Sequence, residues 1–186
     1  MDKNKLIIKA LEYSAVNHKK EVRKGSNVPY IVHPVEAAMI LKDNYFTKEV
    51  IAAGLLHDLL ENTDVSKEEI QKEFGREVLR LVVGASERLD NREERSWKKR
   101  KKHTIKFLKN DADLKIKAVA CADKLSNISS MIRDLDNEDA EKFWGKFNAE
   151  VEDQKWYYES LVDSLQELEG LKMYEKFKKA VNQLFN

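Results

Sequence analysis

An all-α fold, organised as a single domain of about eight to ten helices, follows from three features of the sequence. Only two prolines and six glycines punctuate 186 residues, which leaves room for long helices joined by short polar turns. Apolar residues recur at helical spacing, and strand-like alternation is nowhere sustained. Hydrophobic residues make up 42% and charged residues 36% of the chain, enough apolar material for one core and too much for disorder.

The helices are predicted in order. Residues 2–20 place Ile7, Ile8, Leu11 and Ala15 on one face. Residues 21–32 are basic, hold Gly25 and Pro29, and read as a loop. Pro34 suits the first turn of the next helix, where its missing N–H costs nothing, and that helix runs to about Asp43. Thr47 can cap a helix carrying Val50, Ile51, Ala53, Gly54, Leu55 and Leu56. Ser66 and Glu69 have capping-box spacing for a short helix that Gly75 ends. Further helices fit residues 76–88, 97–109, 113–134, 139–168 and 171–184. No internal repeat or low-complexity linker interrupts them.

Composition narrows the function. The 34 lysines and arginines against 33 aspartates and glutamates give a formal net charge of +1, so no global field marks a nucleic-acid binder. The basic run Lys98 to Lys102 has Glu93, Glu94 and Asp111 close by and no interleaved aromatics on a matching face. It is read as a helix that borders a site or faces water, with Arg100 or Lys101 in reach of a ligand's phosphates. One cysteine, Cys121, excludes an intramolecular disulfide and fits a reducing compartment. No apolar stretch is long enough to span a membrane, so a cytoplasmic protein is expected. The aromatic C-terminal third is expected to be mostly core, with a homo-oligomer face possible.

The strongest chemical signal is His57-Asp58, which follows the apolar or small residues Ala52 to Leu56. An unpaired carboxylate at the end of a buried helix is costly, and a metal ion or other cation removes that cost. Glu61 lies four residues after His57 and three after Asp58, on the same helical side, where a carboxylate can hold or deprotonate a water at the metal. His33 precedes Pro34 at a helix entry, and Asp123 sits in the apolar run from Val119 to Leu125. Imidazole and carboxylate ligands suit Mn, Fe, Zn or Co. Asp123 alone could instead pair with Lys124 or Arg133, and a lone His-Asp pair is often an ordinary surface pair. Of the other histidines, His18 reads as a helix C-terminal residue facing the dipole and His103 as part of a solvated face. Four histidines are too few for a site of five or six imidazoles, so a mononuclear centre is favoured.

Four segments, in order, resemble the hydrolase domain of the RelA/SpoT family. They are Arg23-Lys24-Gly25 with Pro29-Tyr30-Ile31-Val32-His33-Pro34, the run from Ala52 to Thr63, Phe74-Gly75 with Val78 and Leu81-Val82, and the run from Ala122 to Ile128. They lie between about residues 10 and 134, and no synthetase domain follows, so the small stand-alone hydrolases of metazoans are the better likeness. The resemblance implies an HD-type helical domain that removes the 3′-pyrophosphate of guanosine 3′,5′-bispyrophosphate (ppGpp) or its pentaphosphate. It implies one Mn²⁺ held by His33, His57, Asp58 and Asp123. Catalytic roles fall to Glu61 and Asn62. Nucleotide contacts fall to Arg23, Lys24 and Asn127, with Lys124 as a phosphate counter-charge and Tyr157 or Tyr158 as a late tyrosine. For Arg23 and Lys24, a solvated basic loop remains the alternative.

Two positions depart from the family's pattern. Asn62 stands where the family has an aspartate, and an amide cannot take a proton from water. Glu21 stands where glutamine is usual and adds negative charge near a polyanion site. Cleavage of another phosphorylated nucleotide at the same centre, or nucleotide binding without turnover, are the competing functions.

Overall fold

A computed structural model describes residues 4–23, 27–87 and 96–186. Among them the chain forms eleven α-helices and one 3-10 turn: α1 Asn4–Asn17, α2 Val32–Asp43, α3 Lys48–Leu56, α4 Leu59–Asn62, α5 Lys67–Phe74, α6 Arg76–Ala85, α7 Trp97–Asn110, α8 Leu114–Leu135, α9 Ala140–Trp144, α10 Val151–Ser164, the turn Gln166–Leu168, and α11 Lys172–Phe185. No strand occurs among the described residues. A single bridge, Val22 to Pro29, closes the loop that leads to α2. The all-α fold read from the sequence is the one observed.

α8 is the axis of the fold. Asp113 caps it by accepting from the N–H groups of Lys115 and Ile116, and α2, α3, α6 and α11 pack around it. α3 is buried from Val50 to Leu56, as its uninterrupted apolar run demands. Gly54 lets α3 approach α2 closely, since a Cβ there would stand 2.6 Å from Leu41 Cδ1. The predicted capping box forms: Ser66 Oγ accepts from the Glu69 N–H, and the Glu69 carboxylate accepts from the Ser66 N–H. Gly75, at φ 87°, ends α5 as expected.

Four local expectations need correction. The first helix stops at Asn17, not at residue 20. The helix expected over residues 139–168 is divided into α9, α10 and the 3-10 turn. The first break falls at Gly145, which caps α9 by donating its N–H to the Glu141 carbonyl, and Phe143, Trp144 and Phe147 cluster there with centroids 4.9–5.7 Å apart. Thr47 stands at the start of α3 in extended conformation, but its hydroxyl makes no capping bond. The helix expected over residues 76–88 ends at Ala85, where the Ser86 hydroxyl takes over by hydrogen bonding to the carbonyls of Val82 and His57; residue 88 lies outside the described residues.

Candidate active site

α3 stops at Leu56, and His57-Asp58 form a two-residue turn before α4. The turn aims both side chains back at α2 and α8. His33, in the first turn of α2, and Asp123, midway along α8, face them. His33 Nε2 lies 3.2 Å from His57 Nε2 and 3.3 Å from a carboxylate oxygen of both Asp58 and Asp123. His57 Nε2 lies 3.3 Å from Asp58 Oδ1 and 3.6 Å from Asp123 Oδ1. Both imidazoles are buried to 2% exposure. His33, His57 and Asp58 have the mutual spacing of a metal site, and Asp123 closes the ring.

Hydrogen bonds fix which ring nitrogens face inward. The His57 Nδ1 lies 2.9 Å from the Gly54 carbonyl oxygen, which only accepts, so Nδ1 carries the hydrogen and Nε2 offers a lone pair. The Ser126 hydroxyl gives its one hydrogen to Glu36 at 2.8 Å and therefore accepts from His33 Nδ1 at 2.9 Å. His33 Nε2 is then also a lone pair. Two lone pairs and two carboxylates converge on one point, an arrangement that repels itself unless a cation fills it. The donor set thus fits a divalent metal ion, with borderline nitrogen and hard oxygen ligands.

Electrostatics record the same demand. Burial opposes charge on His57, yet Asp58 and Asp123 outweigh it and hold the imidazole up at about 9. Burial likewise opposes charge on Asp58 and Asp123, but the histidines, with Lys124 beside Asp123, keep both carboxyls far below the usual carboxylate range. Without metal, a proton on His57 does part of a cation's work. That proton is bound in folded and unfolded chains alike below pH 6.5, and only the folded chain keeps it up to about pH 9. Chelator-treated protein should therefore lose thermal stability as pH rises across that window. A saturating divalent cation should reverse the trend, because metal and proton compete. Melting curves at several pH values check this; a flat metal-free profile would contradict it.

Around this centre lies a cavity of about 260 Å³ lined by Asp58, Glu61, Glu87, Lys101, Asp123, Lys124, Asn127 and Tyr157, among others. Glu61, part of the cavity wall, accepts from the Glu87 N–H at 2.6 Å through Oε1. Lys124 Nζ donates to Asp123 Oδ2 at 2.6 Å; burial opposes its charge, but Asp123 holds it protonated well above the usual lysine range. Asn127 Nδ2 donates to Asp123 Oδ1 at 2.6 Å, and its own oxygen lies 3.5 Å from an Arg23 N–H donor. A second cavity, also about 260 Å³, shares Tyr30 and Asn127 with the first and is lined by Arg23, Met131, Phe147 and Tyr158.

The sequence-derived residues therefore divide. His33, His57, Asp58 and Asp123 meet. Glu61, Lys124, Asn127 and Tyr157 border the first cavity, and Arg23 borders the second. Lys24 lies outside the described residues. Asn62 is exposed and points to the Tyr30 hydroxyl, to which its amide donates at 3.0 Å. His103 is half-buried and lines the first cavity instead of joining a solvated face. His18 is buried against the Tyr30 ring at 4.9 Å and pairs with Glu21, so Glu21 turns toward His18 and not toward a ligand.

Three groups escaped sequence reading. The Tyr30 hydroxyl donates to Asp58 Oδ2 at 2.6 Å, the Ser126–Glu36 pair orients His33, and Glu87 binds Arg100 and Lys101. Tyr30 and Ser126 lie inside the family-like segments but carry no polar-in-apolar signature of their own.

Comparison with known proteins decides the lineage. Residues 10–146 match the HD domain family model, a span that holds all four clustered ligands. The chain belongs to the HD-domain family. Among relatives, a guanosine-3′,5′-bis(diphosphate) 3′-pyrophosphohydrolase of Borreliella burgdorferi is 38% identical over 128 residues, covering 68% of this chain and 19% of the relative. A GTP pyrophosphokinase of Myxococcus xanthus is 36% identical over 141 residues, 74% of this chain and 18% of the relative. The chain thus spans about a fifth of the length of these curated relatives. Two solved structures match over nearly their whole length. A Listeria monocytogenes protein superposes with TM-score 0.73 at 32% identity, covering 84% of this chain and 96% of that one. A metazoan ortholog of SpoT, described as hydrolysing ppGpp, gives TM-score 0.76 at 25% identity over 97% and 96%. The RelA/SpoT likeness read from the motifs is borne out. No helix among the described residues is long and apolar enough to cross a membrane.

Proposed function

We propose that this chain, acting as one domain, is a metal-dependent phosphohydrolase that removes the 3′-pyrophosphate of ppGpp, yielding GDP and pyrophosphate. The observation that carries it is the convergence of two imidazole lone pairs and two carboxylates on the wall of a cavity that also holds ammonium groups, in a chain whose relatives include enzymes named for this reaction. Mn²⁺ is the ion proposed for His33, His57, Asp58 and Asp123. When bound, such an ion supplies Lewis acidity, drawing charge from a phosphoryl oxygen and making a water more acidic.

The protein's own groups do the rest. Glu61 takes a proton from the attacking water through its carboxylate. The water oxygen bonds to the phosphorus joined to the ribose 3′-oxygen, that P–O bond breaks, and the 3′-oxygen leaves as a hydroxyl after gaining a proton. Lys124 and Lys101 offset phosphate charge. Asn127, which borders both cavities, and Arg23, which borders the second, hold the nucleoside side of the substrate, with Lys24 proposed as a further contact. Tyr157 forms wall beside Lys101. Asn62 acts through the Tyr30 hydroxyl on Asp58 and takes no proton.

That amide favours a second reading, cleavage of a different phosphorylated nucleotide at the same centre. A panel of 2′- and 3′-phosphorylated guanine and adenine nucleotides, scored for both phosphate and pyrophosphate, separates the two. The first reading expects pyrophosphate from ppGpp alone; phosphate from a 3′-monophosphate with ppGpp intact would select the second.

A further inference from the structure

Outside the candidate metal ligands, a buried acid lies between two bases beside the cavity. Glu87 follows α6, and Arg100 and Lys101 lie on the first turns of α7. Glu87 Oε2 accepts from Lys101 Nζ at 2.7 Å, and Oε1 accepts from an Arg100 N–H. The Glu87 side chain is only 10% exposed, less than either base. Burial on its own would favour the neutral acid, but Lys101 and Arg100 hold the carboxyl below its usual range.

Lys101 has a second hold on its place besides Glu87. The Lys101 ammonium stands 5.0 Å from the Tyr157 ring centroid and 6.0 Å from that of Trp97, a cation–π seat that fixes it on the cavity wall. Arg100 keeps a buried Nε–H with no acceptor among the described residues. A carboxylate, with two oxygens, leaves that donor unmatched. A phosphate group, with three terminal oxygens and up to two charges, offers more acceptors and more charge to the same pair. Glu87 and Lys101 border the cavity that holds Asp58, Glu61 and Lys124, so the acid sits where a phosphate chain reaching the metal centre would pass.

Resting on the phosphohydrolase reading, we propose that Glu87 is a built-in counter-anion that occupies the phosphate position at Lys101 and Arg100 and must be displaced when a phosphate chain binds. An intramolecular competitor is always present at high effective concentration, so it lowers the affinity of every anion that takes the same seat by the same factor. Tight binding is then left to anions with further contacts in the cavity, as a phosphate chain reaching the metal centre has. The Glu87 backbone N–H, which holds Glu61, is untouched by side-chain exchange, so the device can be removed without removing that support.

The test is titration of inorganic pyrophosphate into the metal-loaded full chain. Glu87→Gln and Glu87→Ala should bind it about tenfold more tightly than wild type and should gain by a similar factor for a small monovalent anion such as sulfamate. Lys101→Gln added to Glu87→Gln should cancel the gain. If Glu87 is only a structural staple, its variants melt lower and bind pyrophosphate no better, which overturns the proposal. Should neither Glu87 variant fold, Lys101→Gln in the wild-type chain must still weaken pyrophosphate binding, and unchanged affinity would overturn it equally. The readout is binding, so it stands apart from turnover. Tighter binding in a chain that leaves ppGpp intact keeps this inference and removes the proposed reaction; cleavage of ppGpp with unchanged binding does the reverse.

Discussion

His57→Ala should abolish metal binding and all hydrolysis. Wild type should take up one equivalent of Mn²⁺, and the variant should bind it at least about 100-fold more weakly, more than is usual for losing a mere outer-shell partner. The reason is geometric. His57 Nε2 is within 3.6 Å of every other ligand group, so its loss opens one side of the ring and leaves Asp58 and Asp123 facing each other without the imidazole. Ser126→Ala offers a graded comparison. It removes the acceptor that fixes the His33 tautomer but no ligand, and should weaken Mn²⁺ by about 10- to 100-fold. Titration calorimetry of both variants checks the order; equal affinities for all three proteins would show that the ion binds elsewhere.

Glu61→Gln should retain the metal and the substrate and lose the reaction. The exchange keeps an oxygen to accept from the Glu87 N–H, so the loop geometry survives, but the amide cannot take a proton. A loss of about 10²–10⁴-fold in kcat is expected, with KM little changed, because the missing interaction belongs to the transition state. Asn62→Asp is informative beside it. The Tyr30 hydroxyl gives its hydrogen to Asp58 and so needs a donor from residue 62, which asparagine supplies and aspartate does not. A strong rise in kcat for Asn62→Asp, with Glu61→Gln active, would move the proton transfer to position 62 and overturn the role given to Glu61.

Much of this site was legible in the sequence because each candidate metal ligand breaks a local rule. Asp123 is a carboxylate inside an apolar helix, His57-Asp58 end the most apolar helix, and His33 stands at a proline-marked entry. Polar groups placed against the pattern need a partner, and their common partner here is a cation. Helical period located the elements for the same reason that it builds them. The chain's silence elsewhere is also physical. In residues 139–168 the turn after Trp144 is marked only by Gly145, and one glycine is a weak breaker against helical spacing on both sides. Tyr30 and Asp58 are brought together by tertiary packing, as are Glu87 and its two bases. A run of five basic residues does not reveal which are engaged: Lys98 pairs with Asp153, whereas Arg100 and Lys101 share Glu87. His18 looked like a helix end and is a buried ring, since the chain turns inward one residue after Asn17.

The most direct test of the central claim is the joint measurement of GDP and pyrophosphate released from ppGpp by the Mn²⁺-loaded chain, with His57→Ala alongside. The account predicts equal amounts of the two products from wild type and neither from the variant. A metal-loaded wild-type chain that leaves ppGpp intact would contradict it.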